Sequence, residues 1–300
     1  MAKIALADHV RKFTGDLQEH WRASGHKVKW DRYWDPQLTH WADISFFEFV
    51  DNSLIRASNP EDELWQGNPA KGKKIIARLH DIDAWCEHYK RVNWNWVTDL
   101  VFVADHIRDM VLSKYDFPQT LNIHTIKHGI NLDRFQFRDL PKNNKIAWVG
   151  RITHHKCLEL ALQVLAENPE HELHVAGSSL DSWEKAYVDD FVERNNLKFF
   201  YHGQIPYEQM NDFLADKSYL LLTSFKEAFS FVVGEAMARG IKPLIHNFWG
   251  ADTVWPEKYR WDKASDVKAM LDDYNPQEYR EFIEKTYNIN DMLSKYDKLL

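Results

Sequence analysis

Short apolar runs rich in Ile, Val, Leu and Phe recur from one end of the chain to the other, separated by stretches with helical spacing of apolar positions. A strand buried on both faces reads as a continuous apolar run, and parallel strands need crossover connections, usually helical. The alternation therefore predicts an α/β fold with parallel sheets wrapped by helices. In the first half it places strands at Lys3–Ala7, Val28–Trp30, Ile44–Phe49, Lys74–Leu79, Leu100–Ala104 and Asn122–Lys127. Thr14 stands at an N-cap position before a helix that runs to about Ser24, where Gly25 stops it. In the second half strands are expected at Ile146–Val149, Leu173–Ala176, Lys198–Tyr201, Tyr219–Thr223 and Lys242–His246. Helices are expected near Cys157–Asn168, Ser182–Asn195, Tyr207–Ala215 and Phe231–Arg239, and one or two more in the tail from Pro276 to Leu300.

Between the halves, Asp133 to Lys145 is polar, holds Pro141 and two asparagines, and lacks sustained periodicity, so it reads as a linker. A chain of 300 residues exceeds the usual single-core size, and two Rossmann-like domains with a cleft between them are the expected architecture.

Composition narrows the function. The net charge of −7 comes with no long basic run, which argues against nucleic acid as a partner. The two cysteines, Cys86 and Cys157, form no CxxC pair; they fit a reducing compartment, and cytoplasm is the expected location. The start, MAKIALADHV, lacks the long apolar stretch of a signal peptide, and no run approaches the roughly 20 apolar residues of a membrane span, so any membrane contact would be peripheral.

Open parallel sheets bind ligands beyond the carboxyl ends of their strands. There, TSFKEAFSFVVGEAMARG, Thr223 to Gly240, sets Glu227 in a loop and Glu235 in the following helix, eight positions apart. Carboxylates suit sugar hydroxyls, and the backbone N–H groups around Phe229 to Phe231 can open a helix N-terminus towards phosphate oxygens. Two surface glutamates on an ordinary helix are the alternative. Arg151 and Lys156 follow the first strand of the second half, where two cations could neutralise a diphosphate or remain solvated. His80 follows the strand KKIIARL, where an imidazole could hydrogen-bond a ligand or serve structure alone; Gly15, preceded by Thr14, could admit a close backbone approach.

Glu48 and Asp51 end another first-half strand and read either as acids facing the cleft, which the resemblance given below would make acceptor-binding, or as caps and solvent-facing groups. Trp249, after the strand ending at His246, is a candidate for stacking on a sugar ring. Asp81-Ile82-Asp83 could hold a divalent ion on a diphosphate. His124, His128, His154 and His155 lie on separate strands and loops without a carboxylate or cysteine at ligand spacing, and read as no metal site.

Several segments, in order, resemble the retaining GT-B glycosyltransferases of family 4. The E-x7-E spacing of Glu227 and Glu235 matches their donor motif. IKHGINLDRF, Ile126 to Phe135, is similar to their strand and loop at the domain boundary, with His128 in place of Asn. WVGRITHHK, Trp148 to Lys156, is similar to their phosphate loop, with Cys157 in place of Gly. HVAGS, His174 to Ser178, and Phe199 to Ser224 are similar to the nucleotide-binding strands. The resemblance implies an acceptor-side domain over 1–139, a donor-side domain over 140–275, and C-terminal helices, 276–300, packing back on the first. It implies transfer from a nucleotide-diphosphate-sugar donor to a glycan, lipid-linked or other hydroxyl acceptor, without a metal or other cofactor. His80, Arg151, Lys156 and Glu227 would be catalytic, and Gly15, Gly150, Gly177, Ser178, Ala228, Phe229, Ser230, Phe231 and Glu235 would bind donor, with Glu235 on the ribose and Glu227 on the transferred sugar. A non-catalytic nucleotide-sugar-binding relative and a GT-B sugar-nucleotide epimerase are the other readings.

Overall fold

The apolar runs of the first 128 residues become one six-stranded sheet. The computed structural model describes residues 1–10, 13–59, 73–178 and 180–300, which form two units: Met1–His128 with Asn290–Leu300, and Gly129–Ile289. In the first unit β1 (Lys3–Ala7), β2 (Lys27–Asp31), β3 (Ile44–Phe47), β4 (Lys74–Leu79), β5 (Asp99–Phe102) and β6 (Asn122–Thr125) run parallel in the order β2-β1-β3-β4-β5-β6. The connections carry α1 (Gly15–Ala23), α2 (Pro36–Trp41), α3 (Asn52–Ala57), α4 (Asp81–Trp85) and α5 (Asp105–Leu112). The central strands are covered on both faces: Ile75, Ile76 and Ala77 on β4 and Leu100, Val101 and Phe102 on β5 are each 0% exposed.

The second unit repeats the plan. Its strands are β7 (Lys145–Gly150), β8 (Glu172–Gly177), β9 (Lys198–Tyr201), β10 (Tyr219–Leu222), β11 (Lys242–His246) and β12 (Arg260–Trp261), all parallel in the order β12-β11-β10-β7-β8-β9. The helices are α6 (Leu158–Glu167), α7 (Ser182–Arg194), α8 (Met210–Phe213), α9 (Phe231–Ala238), α10 (Val267–Met270) and α11 (Pro276–Thr286). Side chains alternate between faces along each strand. Ala147, Leu220, Leu222 and Ile245 join Val233, Met237, Tyr279 and Ile283 in one core, whereas Ile146, Trp148, Tyr219, Leu221 and Leu244 join Leu162, Leu165 and Val188 in the other.

Strand order fixes where ligands can sit. In the second unit β8 and β9 lie to one side of β7 while β10, β11 and β12 lie to the other, so the switch point falls between β7 and β10; in the first it falls between β1 and β3.

The segment read as a linker, Asp133 to Lys145, belongs to the second unit. Its backbone is satisfied there: Arg138 N–H donates to Arg239 O (3.1 Å) and Asn143 N–H to Ser218 Oγ (2.8 Å). The tail divides. α11 packs in the second core through Tyr279 and Ile283, and α12 (Ile289–Asp297) lies almost wholly in the first unit, where Tyr296 meets Phe46 edge-on at 5.8 Å and Asp297 takes the Trp21 indole N–H at 3.2 Å. The segment 207–215, expected as one helix, is a short 3-10 turn over Tyr207–Gln209 followed by α8, because Pro206 precedes a turn that closes on itself, Gln209 N–H to Pro206 O at 3.0 Å. Thr14 holds the N-cap position of α1, yet its hydroxyl goes to Asp8 Oδ2 at 2.6 Å rather than to the helix.

Candidate functional site

At the switch point of the second unit, the loops after β7 and β10 are tied together by hydrogen bonds. Trp148 Nε1–H donates to Thr223 Oγ1 (2.9 Å), Thr223 Oγ1–H donates to Lys156 O (2.7 Å), and Phe225 N–H donates to His155 O (2.8 Å). This frame carries an ion pair between Lys156 Nζ and Glu227 Oε1, with side chains 22% and 12% exposed; Ser224 Oγ–H also donates to Glu227 Oε1 at 2.7 Å. Lys156 and Glu227 are 71 positions apart in sequence. Arg151, one residue past β7, is exposed and has no ion-pair partner among the described residues.

Cys157, where the sequence departs from the glycine, adopts φ 48° and ψ 67°. A β-carbon is disfavoured there, yet the loop keeps a glycine-like left-handed turn. Burial raises the Cys157 thiol above its ordinary value, which leaves it less able to ionise.

Beside this frame a cavity of about 380 Å³ opens at the ends of β7 and β8, lined by Gly150, Arg151, Ile152, Gly177, Ser178 and Gln204 among others. Its volume falls within the range of small-molecule sites. Gly177 is required sterically, since a β-carbon would lie 2.5 Å from Gly150 O. Ser178 Oγ accepts from Ile152 N–H at 2.9 Å, which closes the turn between the strands. Three of the expected donor-binding residues, Gly150, Gly177 and Ser178, thus line one cavity together with Arg151, expected as catalytic.

Glu235, on α9, is 2% exposed and accepts from Tyr207 O–H at 3.2 Å. Burial, then the Glu235 charge, hold the Tyr207 phenol well above its ordinary value, so it stays a donor. The Arg134 guanidinium lies 5.8 Å from the Tyr207 ring. Ahead of α9, Ala228 and Phe229 are buried, and Phe229 stacks on Trp255 at 5.2 Å, so these two can offer a ligand backbone only. Ser230, at the N-cap, has φ 68° and does not cap the helix with its side chain; such strain in a non-glycine residue persists where the surroundings over-determine it. Phe231 begins α9 partly buried, and Trp249, after β11, is 49% exposed. Sequence reasoning missed Tyr207, Ser224 and Gln204; all three follow strands β9 and β10, the positional signal that found the others.

In the first unit, Glu48 does not face solvent. It is 0% exposed and its Oε1 receives Arg78 Nη1–H at 2.9 Å and lies 2.7 Å from His80 Nε2. His80 itself is 5% exposed, stacked on Phe49 (4.6 Å) and His128 (5.4 Å), with its Nε2 committed to Glu48. Burial, with His80 and Arg78 nearby, pushes His128 well below its ordinary value. Asp51 caps α3, accepting from Ser53 N–H at 2.8 Å, and its other oxygen lies 3.5 Å from His9 Nδ1. Gly15 starts α1, and a β-carbon there would meet nothing within 4 Å, so no crowding demands glycine.

The Asp81-Ile82-Asp83 alternative meets a structural obstacle, because Asp83 is 2% exposed and accepts from His80 N–H at 3.0 Å, a helix cap. Among the described residues no group of three or more His, Cys, Asp and Glu is placed to hold a metal. Burial pushes the Asp83 carboxyl up to about 7 despite the His80 contacts. With the folded value above the ordinary 3.8, the native state binds the proton more tightly, so the stabilisation is complete at low pH and is lost as pH rises through 7. Asp83→Asn keeps an acceptor for His80 N–H and is expected to gain about 2–3 kcal/mol on wild type between about pH 5 and pH 8 in urea melts. Parallel pH profiles for the two proteins would show that Asp83 does not carry that proton.

Among the described residues, no helix is long and apolar enough to cross a membrane. Comparison with solved structures shows the GT-B fold. Sucrose-phosphate synthase from Thermosynechococcus elongatus is similar over 100% of this chain and 98% of its own, with TM-score 0.78 and 16% identity. HepE from Anabaena, in complex with UDP, is similar over 99% of both chains, with TM-score 0.75 and 10% identity. A glycosyltransferase from Rickettsia africae ESF-5 is similar over 99% of this chain and 97% of its own, with TM-score 0.72 and 13% identity. No curated protein matches the sequence. Residues 130–298 match the family described as glycosyl transferases group 1, more than half of the chain, and the protein belongs to that family.

Proposed function

We propose that this glycosyltransferase is a retaining enzyme of the family 4 type, which takes a sugar from a nucleotide-diphosphate-sugar donor and passes it to a hydroxyl acceptor. The observation that carries the reading is the Lys156–Glu227 pair, set at the β7/β10 switch point next to the cavity. Lys156 and the exposed Arg151 are the cations that would take the diphosphate, and Glu227, relieved of Lys156, would accept hydrogen bonds from the transferred sugar. The backbone of Ala228, Phe229, Ser230 and Phe231 would meet phosphate at the start of α9, while Glu235, steadied by Tyr207, would bind the ribose. HepE, of similar fold, is seen with UDP and with UDP-glucose, which supports a donor of this class.

In this scheme the anomeric carbon–phosphate bond breaks, the acceptor oxygen bonds the same face, and its proton passes to the leaving phosphate. Lys156 and Arg151 would supply two positive charges to balance the diphosphate in place of a divalent ion, and the reaction is proposed to run without a metal cofactor. Both cysteines are free, in keeping with the proposed cytoplasmic site. Among the acceptor candidates Glu48 is buried and Asp51 is a cap, which leaves the exposed Trp249 for stacking on a sugar ring.

Calorimetry with UDP, GDP, ADP and CMP, on wild type and Glu235→Ala and with chelator present, tests the donor site. One nucleoside diphosphate should bind with and without chelator, and Glu235→Ala should weaken it at least about tenfold, the cost of a charged hydrogen bond. Chelator-sensitive binding unchanged in Glu235→Ala would contradict the proposal.

A further inference from the structure

The cavity between the ends of β7 and β8 has a chemical asymmetry beyond its size. Its walls are apolar where Ile152, Ile205 and Met210 face it, and its polar side chains are Arg151, Ser178 and Gln204. Ser178 Oγ is already the acceptor for Ile152 N–H, and Arg151 lies at the mouth of the phosphate loop. Gln204 alone brings a donor and an acceptor side by side. No hydrogen bond to its side chain occurs among the described residues, and the residue is exposed.

The backbone holds Gln204 in place from both sides. Gly177 N–H donates to Gly203 O at 2.9 Å, and Gly203 has φ +69°, a left-handed turn that suits glycine and directs the chain across the end of β8. Two residues later Pro206 fixes the entry to the Tyr207–Gln209 turn. A side-chain amide carried on a fixed backbone beside the apolar wall of Ile152, Ile205 and Met210 suits the edge of a nucleobase, which stacks through its faces and presents adjacent donors and acceptors at its rim.

We infer that Gln204 reads the base edge of the nucleotide donor and sets which base the enzyme prefers. The inference rests on the nucleotide-sugar reading of the same site. A glutamine amide can satisfy a keto–imino edge, as in uracil and guanine, or an amino–imine edge, as in cytosine and adenine; a carboxylate only accepts, and so favours the bases with an exocyclic amino group, cytosine, adenine and guanine, over uracil.

The test measures binding of UDP, GDP, CDP, ADP and inorganic pyrophosphate to the full chain by calorimetry, for wild type, Gln204→Ala and Gln204→Glu. Gln204→Ala should weaken the preferred nucleotide about tenfold or more and narrow the spread between bases, with pyrophosphate affinity unchanged. Gln204→Glu should raise the ratio of CDP, ADP and GDP affinities to that of UDP at least about tenfold over wild type. Base ratios unchanged in both variants would overturn the inference while leaving the donor site intact. Failure of wild type to bind any nucleotide would remove the donor reading and this one with it.

Discussion

Replacing Lys156 by alanine should cut turnover by about 10²–10³-fold while nucleotide affinity falls by less than about tenfold. The difference follows from when the charge matters. In the unliganded chain Lys156 is already matched by Glu227, so contact with a bound diphosphate replaces one carboxylate partner by another anion and yields modest net binding. As the sugar–phosphate bond breaks, negative charge accumulates on the leaving oxygen, and a cation fixed by the Thr223 and Phe225 bonds then stabilises the transition state more than the ground state. Lys156→Arg should not restore the rate, since a planar fork cannot occupy the space of a point charge beside Glu227 and Ser224. Steady-state kinetics together with direct nucleotide titration check the split. A variant that loses binding and keeps turnover at saturation would remove the leaving-group role.

Glu48→Ala should destabilise the first unit by about 3–5 kcal/mol, because it strands a buried guanidinium. Arg78 and Glu48 are both 0% exposed, and Arg78 also lies over the Tyr296 ring at 4.7 Å. Glu48 raises the Arg78 value against the opposing effect of burial, and burial pushes the Tyr296 phenol up to about 12. Glu48→Gln keeps an acceptor for Arg78 and His80 and should cost less than the alanine variant. Urea melts followed by tryptophan fluorescence report this directly, with Trp21 packed near Phe46 at 5.8 Å. A loss below about 1 kcal/mol for Glu48→Ala would mean that water reaches Arg78 and that the pair is not sealed.

The fold was legible because central strands such as Tyr219–Leu222 and Ile75–Leu79 are buried on both sides and announce themselves as apolar runs. β12 escaped notice because it is only Arg260–Trp261, too short for any pattern. That Gly150, Arg151, Gly177 and Ser178 come together was legible by position, since they fall at strand ends, and strand order then gathers them around one cavity. Pairings were not legible: Lys156 meets Glu227 and Tyr207 meets Glu235 across long sequence separations that only the parallel topology closes. Glu48 was read either as an acceptor-facing acid or as a cap or solvent-facing group, yet its neighbour strand carried the sign of its burial. Arg78 interrupts the apolar run KIIARL, and a cation in a strand covered on both faces requires a carboxylate. The Asp133 to Lys145 segment looked like a linker because its polar groups are satisfied by distant backbone, such as Arg239 O, that no local pattern reveals.

The proposed reaction transfers sugar from a nucleotide-diphosphate donor with its anomeric configuration kept. Proton NMR of incubations with α-linked UDP-glucose and GDP-mannose, followed from the first minutes, tests it most directly. With water as the accepting hydroxyl, release of the nucleoside diphosphate together with a first-formed α free sugar, before mutarotation mixes the anomers, is the expected result. A first-formed β product would contradict retention, and an unchanged donor in every incubation would contradict sugar transfer from these nucleotides.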